Sequence, residues 1–412
     1  MLQPYLALLR KPHVRTALTT NIMGRLPNGM AVLALTLLFR HEGVDFGVVG
    51  LLIAVYGVGT AVGGPVLGRI VDFYGQPLVL LTSGAASAAA FAVLALAPDA
   101  PLAAALPLTA VAGALTPPLE SCLRSVWPTL VSDEQERETA YSLDAALQEV
   151  IFVTAPLLVS AVAALFLPMH AVLATALITV VGAAVFASLR PVRRWRPVPR
   201  KANWLGPLVE PQVRRVLVCF VFVGAALGAL AVGAVAYSEE AASRDVSGLL
   251  LSANGLGALI GGLTYGAVRV PLPPARRFRV LLAGLALCYL PLLLMPGVAL
   301  MTVLAGLSGL FLAPALACTF LLLGRLAPQG TTTEAFSWLI SMFMCGSALG
   351  TALAGVAADM AGASGVFVVT GAVTVTAALL SLRVSGEPGA AAQNPAAAAE
   401  VSHATQDRPE ER

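Results

Sequence analysis

The sequence predicts an all-α membrane protein of twelve transmembrane helices, arranged as two pseudo-symmetric six-helix bundles. Three observations lead there: a composition too apolar for a soluble surface, twelve separate runs long enough to span a bilayer, and an internal repeat relating the two sets of six. Of 412 residues, 58% are hydrophobic and 11% charged, with a mean hydropathy of +0.84. Soluble domains carry about 25% charged residues, so the bilayer is the better solvent for this chain.

A spanning helix needs about 20 mostly apolar residues to cross ~30 Å of hydrocarbon. Such runs extend approximately from Val14 to Phe39, Phe46 to Gly68, Leu78 to Ala97, Leu102 to Cys122, Ala140 to Phe166 and Met169 to Leu189. A second set follows from Val216 to Ser238, Ser247 to Val268, Val280 to Met295, Val298 to Leu323, Ala335 to Ala358 and Ser364 to Leu382. The first run follows Arg10, Lys11 and Arg15, but it is too long for a signal-peptide core and reads as a retained span. The chain therefore divides into an N-terminal bundle (1–189), a linker (190–215), a C-terminal bundle (216–385) and a tail (386–412). The linker is Pro-rich and basic, suited to an anionic inner leaflet. The tail is rich in Ala, Pro and charge without apolar periodicity, which predicts a disordered cytoplasmic segment.

Basic residues stay on the cytoplasmic side of short loops. With the N-terminus inside, Arg40 and Arg244 are the only loop Arg or Lys left outside, Arg25 lies within a span, and every other Arg and Lys falls inside. Both termini are then cytoplasmic.

The net charge of +3 thus reflects topology, and no basic, aromatic-interleaved surface suggests nucleic acid. The five cysteines lie in or at the edges of apolar runs, which suggests neither a disulfide framework nor a zinc site. Neither Lys11 nor Lys201, the only two lysines, follows a glycine, so no phosphate-binding loop is present to use ATP. His13, His41, His170 and His403 fall near span ends, in loops or in the tail, and no metal site or catalytic cluster is expected.

The repeat emerges when Gly50 to Gly68 is aligned with Gly248 to Gly266. At a constant offset of 198, eight of nineteen positions are identical, six of them glycines: Gly50, Gly57, Gly59, Gly63, Gly64 and Gly68 against Gly248, Gly255, Gly257, Gly261, Gly262 and Gly266. The match joins the second span of one half to the second span of the other. Such glycine rows allow close backbone approach, and two parallel six-helix repeats are the architecture of alternating-access carriers.

Between the second and third runs lies the polar stretch "GRIVDFYGQP", Gly68 to Pro77. It resembles the signature loop of the major facilitator superfamily, with Gly68, Asp72 and Gly75 at the family's positions. The resemblance implies a cytoplasmic latch of Gly68, Arg69, Asp72 and Gly75 that holds the halves together when the carrier faces outward. Asp72, just past the second span, can meet a helix N-terminus, and Gly75 permits a turn. Phe73, Gln76 and Pro77 replace basic residues of the family pattern, and Arg69 compensates in part. "RSVWPTL" at Arg124 and "AYSLDAALQEVIFVTAPLL" from Ala140 resemble twelve-helix actinobacterial drug or metabolite exporters. Ala155 and Pro156 sit where the exporters carry Gly and Pro, although the surrounding glycines of the full antiporter motif are missing.

An ionisable group at bilayer depth is costly and therefore a functional candidate. Arg25 lies near the middle of the first span, Glu149 at similar depth in the fifth, and Asp144 more than one turn shallower. Asp144 and Gln148 share a helical face, while Glu149 points about 100 degrees away from Gln148. An Arg25 to Glu149 pair is expected, and two readings of it stay open. In one the pair locks the N-terminal half; in the other Glu149 binds and releases a proton, with Asp144 as the alternate carrier. Glu120 and Arg124, an i, i+4 pair at the cytoplasmic end of the fourth span, read as a gate or anchor. Gln148, Asn254, Tyr265, Ser308, Ser337, Trp338, Ser341 and Met342 are the cavity candidates, suited to an amphipathic ligand.

These readings predict a monomeric, bacterial inner-membrane carrier without a bound cofactor, driven by the proton gradient and exporting small amphipathic compounds. An importer or uniporter of a small organic solute with the same fold is the alternative.

Overall fold

The computed structural model describes residues 3–199, 203–241, 246–268 and 270–385. The expected tail at 386–412 and Arg244 lie outside the described residues. In chain order the helices are α1 (Gln3–Arg10), α2 (Pro12–His41), α3 (Phe46–Tyr74), α4 (Gln76–Leu96), α5 (Leu102–Ala114), α6 (Leu119–Leu130), α7 (Glu134–Leu165) and α8 (Pro168–Ser188). Then come α9 (Arg190–Arg194), α10 (Pro211–Glu240), α11 (Val246–Ala267), α12 (Pro274–Tyr289), α13 (Val298–Gly309), α14 (Leu312–Leu326) and α15 (Thr332–Ser381).

Among the described residues, eleven helical segments are long and apolar enough to cross a membrane, and the last contains 50 residues. At about 1.5 Å per residue a straight helix of that length would run ~75 Å, more than twice the hydrocarbon thickness. Its backbone leaves helical geometry at Ala361 and at Gly362, where φ is +63°, a conformation that glycine adopts freely. Gly206, just before α10, lies against Glu334 at the start of α15. Arg215, in the second turn of α10, donates to the Arg383 carbonyl just past the end of α15. Both ends of α15 therefore lie beside one end of α10, and Glu240 at the other end of α10 accepts the Ala363 N–H at 2.7 Å. The helix folds back on itself to supply the eleventh and twelfth spans.

The fourth and tenth spans are each broken. "TPP" at Thr116 to Pro118 separates α5 from α6, because each proline removes an N–H donor from the helical ladder. At the corresponding place in the second half, Leu310 and Phe311 separate α13 from α14. The repeat is thus wider than the glycine rows reveal.

Those rows have two jobs. A Cβ on Gly63 would overlap the Ala114 carbonyl at the end of α5, and one on Gly261 would overlap the Leu310 carbonyl after α13. These glycines seat the second and eighth spans on the broken spans of their own halves. One turn on, the rows face the opposite half: Gly68 lies against Ser337 and Glu334 of α15, and Gly266 against Ser142 of α7.

Arg10, Lys11, Arg69, Arg193, Arg276, Arg325 and Arg383 mark one end of the bundle, called here the basic face. Towards it, one continuous apolar core takes residues from both halves, such as Leu67, Leu123, Tyr141, Phe220, Phe320 and Phe336. Towards the opposite face, the buried residues of the N-terminal half, among them Leu35, Phe91 and Val172, form a separate cluster that contains nothing from α10 to α15. The halves are fused at the basic face and parted at the other.

Helix starts also differ from expectation. Asp133 caps α7 by accepting the Glu136 N–H at 3.0 Å, with Glu134 and Glu136 in the first turn, where acidic groups suit the helix dipole. The fifth span thus begins at Glu134, earlier than the expected Ala140. The short α1 was not expected as an element; Tyr5 and Leu8, three residues apart, bury one face of it. The Tyr5 hydroxyl donates to the Leu263 carbonyl at 2.7 Å, so α1 straps the first half to α11.

Candidate functional site

Four charged side chains meet at the centre of the N-terminal half. Arg25 Nη1 lies 2.5 Å from Asp144 Oδ1, and Arg124 Nε lies 2.8 Å from Asp144 Oδ2. Glu120 closes the ring, with Oε1 3.4 Å from Arg25 Nε and Oε2 3.4 Å from Arg124 Nη2. Signs alternate around the ring and cancel. Each carboxylate gives one oxygen to each guanidinium, which satisfies a buried charge far better than a single contact does. Gln148 Oε1 accepts from Arg25 Nη2, the Tyr141 hydroxyl donates to the Arg124 carbonyl, and the Arg124 guanidinium stacks 3.8 Å above the Phe320 ring.

This arrangement corrects two expectations. Arg25 pairs with Asp144 and Glu120, and not with Glu149. Because α7 begins at Glu134, Asp144 lies ten residues into it, deep enough to meet Arg25, which lies thirteen residues into α2. Glu120 and Arg124 do not sit at the end of the fourth span: that span continues to Leu130, and the break before Leu119 places both residues near its middle.

Beside the ring, between the halves, lies a cavity of about 280 Å³. Asn28, Tyr56, Thr60, Glu120, Arg124, Gln148, Glu149 and Phe152 line it from the first half, and Leu227, Leu316, Phe320, Ser337, Ile340, Ser341 and Met344 from the second. The wall is largely apolar. On its basic side the Ser337 hydroxyl donates to Ser121 at 2.9 Å across the halves. The Glu149 carboxylate faces Gly255 of α11 and has no hydrogen bond or ion pair among the described residues.

Of the expected cavity residues, Gln148, Ser337 and Ser341 line this space. Asn254 and Ser308 do not: the Asn254 amide donates to the Ser308 hydroxyl at 2.9 Å and ties α11 to α13 inside the second half. Tyr265 lies nearer the basic face, where its hydroxyl is 2.5 Å from Glu138 Oε1. Trp338 and Met342 turn from the cavity to pack on the apolar core.

The stretch from Gly68 to Pro77 is not the loop expected. Helix α3 continues through Tyr74, Gly75 alone makes the turn with φ +91°, and α4 starts at Gln76. Asp72 therefore sits in the last turn of α3, where Oδ1 accepts the Thr333 N–H at 3.2 Å and Oδ2 the Glu334 N–H at 2.9 Å. A carboxylate on two N–H groups of the first turn of α15 satisfies orphan donors and complements the dipole. Arg69 Nη1 approaches Glu334 at 3.9 Å and also donates, with Nη2, to the Trp204 and Asn203 carbonyls of the linker.

Family comparison decides what this assembly is. The sequence matches the model of the Major Facilitator Superfamily over residues 17–241 and again over 216–408. The chain belongs to the major facilitator superfamily. It is a multi-pass membrane protein with that superfamily's transporter fold. Among solved structures it is similar to a bacterial homologue of the iron transporter ferroportin in an outward-facing state, with a TM-score of 0.72, 16% identity and coverage of 90% of this chain and 99% of that one. It is also similar to the E. coli fucose:proton symporter FucP, with a TM-score of 0.66, 14% identity and coverage of 91% and 98%. A human organic anion transporter gives a TM-score of 0.65 at 14% identity, covering 89% and 99%. No curated protein sequence matches at a significant level.

As in any carrier of the superfamily fold, contacts between halves decide which face is closed. At the basic face they are dense: besides the Asp72 latch, Glu138 pairs with Arg277, Glu134 with Arg325, and the Thr139 hydroxyl donates to the Gly266 carbonyl at 2.9 Å. Sequence reasoning missed Glu138, Arg277, Tyr5 and Thr333. The i, i+3 pair of Tyr5 and Leu8 was a readable amphipathic signal, whereas nothing distinguishes Arg277 from its neighbours Arg276 and Arg279.

The latch gives a direct prediction. Hydrogen bonds to a charged group contribute about 1.5–3 kcal/mol each, and Asp72→Ala removes two. With ~1.4 kcal/mol per tenfold, the variant should shift the population at least tenfold towards an open basic face. Spin labels on Thr129→Cys and Gln329→Cys, in a background lacking the native cysteines, should report longer distances; an unchanged distribution would refute the latch.

Proposed function

We propose that the protein is a proton-coupled exporter of small amphipathic compounds, a drug or secondary metabolite, acting as a monomer in a bacterial cell membrane. The basic face is then cytoplasmic, following the charge rule for short loops, and both termini lie inside. On this reading the closed basic face is the cytoplasmic one, and the cavity is reached from the outside.

The observation that carries this reading is Glu149. Its neighbours Arg25, Glu120, Arg124 and Asp144 neutralise one another, whereas its own carboxylate faces an apolar cavity between the halves without a partner among the described residues. A carboxylate with no fixed counter-ion beside this cavity is placed to carry a proton, and a compound entering the same cavity competes with the proton. Exchange of the two across alternating states couples export to the proton gradient, with no bound cofactor and no covalent chemistry. The largely apolar wall with a few polar groups suits amphipathic ligands.

The test uses everted vesicles energised acidic inside, with a pH-sensitive dye and a panel of amphipathic compounds. Compound-dependent loss of the gradient is the expected result with the wild-type protein and not with empty vesicles. A gradient that survives every compound, in a preparation verified as folded, would remove proton antiport and favour import or uniport.

A further inference from the structure

A second cavity lies away from the centre, on the basic face where the seventh and twelfth spans meet. It measures about 250 Å³ and is lined by Pro211, Arg214, Arg215 and Val218 of α10 with Leu380 and Arg383 at the end of α15. Three arginines line one small pocket, and among the described residues no carboxylate lines it.

The pocket is a built one. Arg215 Nη1 donates to the Arg383 carbonyl at 3.0 Å, Arg279 Nη2 donates to the Val384 carbonyl at 2.7 Å, and Gln212 Oε1 accepts the Ser385 N–H at 3.0 Å. These bonds pin the end of α15 to the start of α10 and to α12, and fix where Arg383 emerges. Arg214 Nη1 donates to the Leu208 carbonyl at 3.0 Å. These acceptors are neutral carbonyls, and each guanidinium has five donors. The Arg383 side chain has no partner among the described residues. Glu210, next to Pro211, is 2% exposed and accepts the Gln212 N–H at the start of α10, and Glu387, four residues beyond Arg383, lies outside the described residues.

Just beyond the charged rim the outer surface turns apolar, with Val218 45% and Leu379 61% exposed on the two helices. Clustered cations above an apolar, lipid-facing wall match a molecule that is anionic at one end and hydrocarbon at the other. Basic pockets between transmembrane helices hold phospholipid headgroups in this way. We propose that this pocket binds an anionic phospholipid, its phosphodiester on Arg214, Arg215 and Arg383 and an acyl chain along Val218 and Leu380. Free phosphate would use only the rim. Bound there, the lipid joins the first turns of the seventh span to the end of the twelfth.

Native mass spectrometry of the purified full chain tests this with phosphatidylglycerol, phosphatidylcholine or inorganic phosphate added. One phosphatidylglycerol should be retained at least tenfold more strongly than phosphatidylcholine, and it should be lost in Arg214→Gln/Arg383→Gln. Arg214→Lys/Arg383→Lys should keep it in part, and the linker control Arg193→Gln/Arg194→Gln should keep it fully. Arg215 stays unchanged because it caps α15. Equal retention of the two lipids, or retention by the double Gln variant, would overturn the proposal, as would displacement of phosphatidylglycerol by inorganic phosphate at equal concentration. Should the double variant fail to fold, salt decides on the wild-type protein: retention must weaken as ionic strength rises, and salt-independent retention counts against the site.

Discussion

Asp144→Asn is expected to produce the largest loss of stability of any single change in the transmembrane region. Among the described residues, Asp144 holds both guanidiniums most closely, Arg25 at 2.5 Å and Arg124 at 2.8 Å. Both arginine side chains are nearly inaccessible, 0% and 3% exposed, and Glu120 at 3.4 Å from each cannot neutralise two. Breaking a buried pair by removing one partner costs about 3–5 kcal/mol, because the orphaned charge stays buried. The unfolding midpoint followed by tryptophan fluorescence in detergent should fall accordingly. Arg124→Gln combined with Asp144→Asn leaves Arg25 against Glu120, a neutral pair, and should recover part of the loss. A single variant as stable as wild type would show that the ring is not a unit.

Glu149→Gln is expected to do the reverse: abolish coupling and leave the fold alone. The carboxylate has no hydrogen bond or ion pair among the described residues, so an isosteric neutral amide removes no contact. In the everted-vesicle assay, compound-driven proton release should fall at least tenfold while the unfolding midpoint stays that of wild type. Retained proton release would exclude Glu149 as the coupling group. A simultaneous fall in stability would assign it a packing role instead.

These two residues also show what the sequence can and cannot reveal. That membrane-depth charges matter follows from their rarity in apolar runs, and Arg25, Asp144 and Glu149 were all legible on that ground. Their partners were not. Pairing depends on where each helix starts, and the Asp133 cap moved the start of the fifth span by nearly two turns, which brought Asp144 level with Arg25. The break at Pro117 and Pro118 likewise carried Glu120 inward. The glycine repeat was legible because backbone contact at Gly63 and Gly261 tolerates no side chain. Which polar residues face the cavity was harder: Asn254 and Ser308 satisfy each other within one half, a rotation about the helix axis that apolar spans on every side leave unmarked.

The strap made by α1 has a consequence for the order in which the protein completes itself. Tyr5 reaches the Leu263 carbonyl, 258 residues further along the chain, so α1 leaves the ribosome long before this acceptor exists. It can pack on α2 and α7 of its own half, but its Tyr5 bond closes only when the eighth span has arrived. A contact of the earliest-synthesised segment is thus among the last to close, and the Tyr5 hydroxyl bond to α11 becomes a marker that translation has passed α11 and the two halves have met.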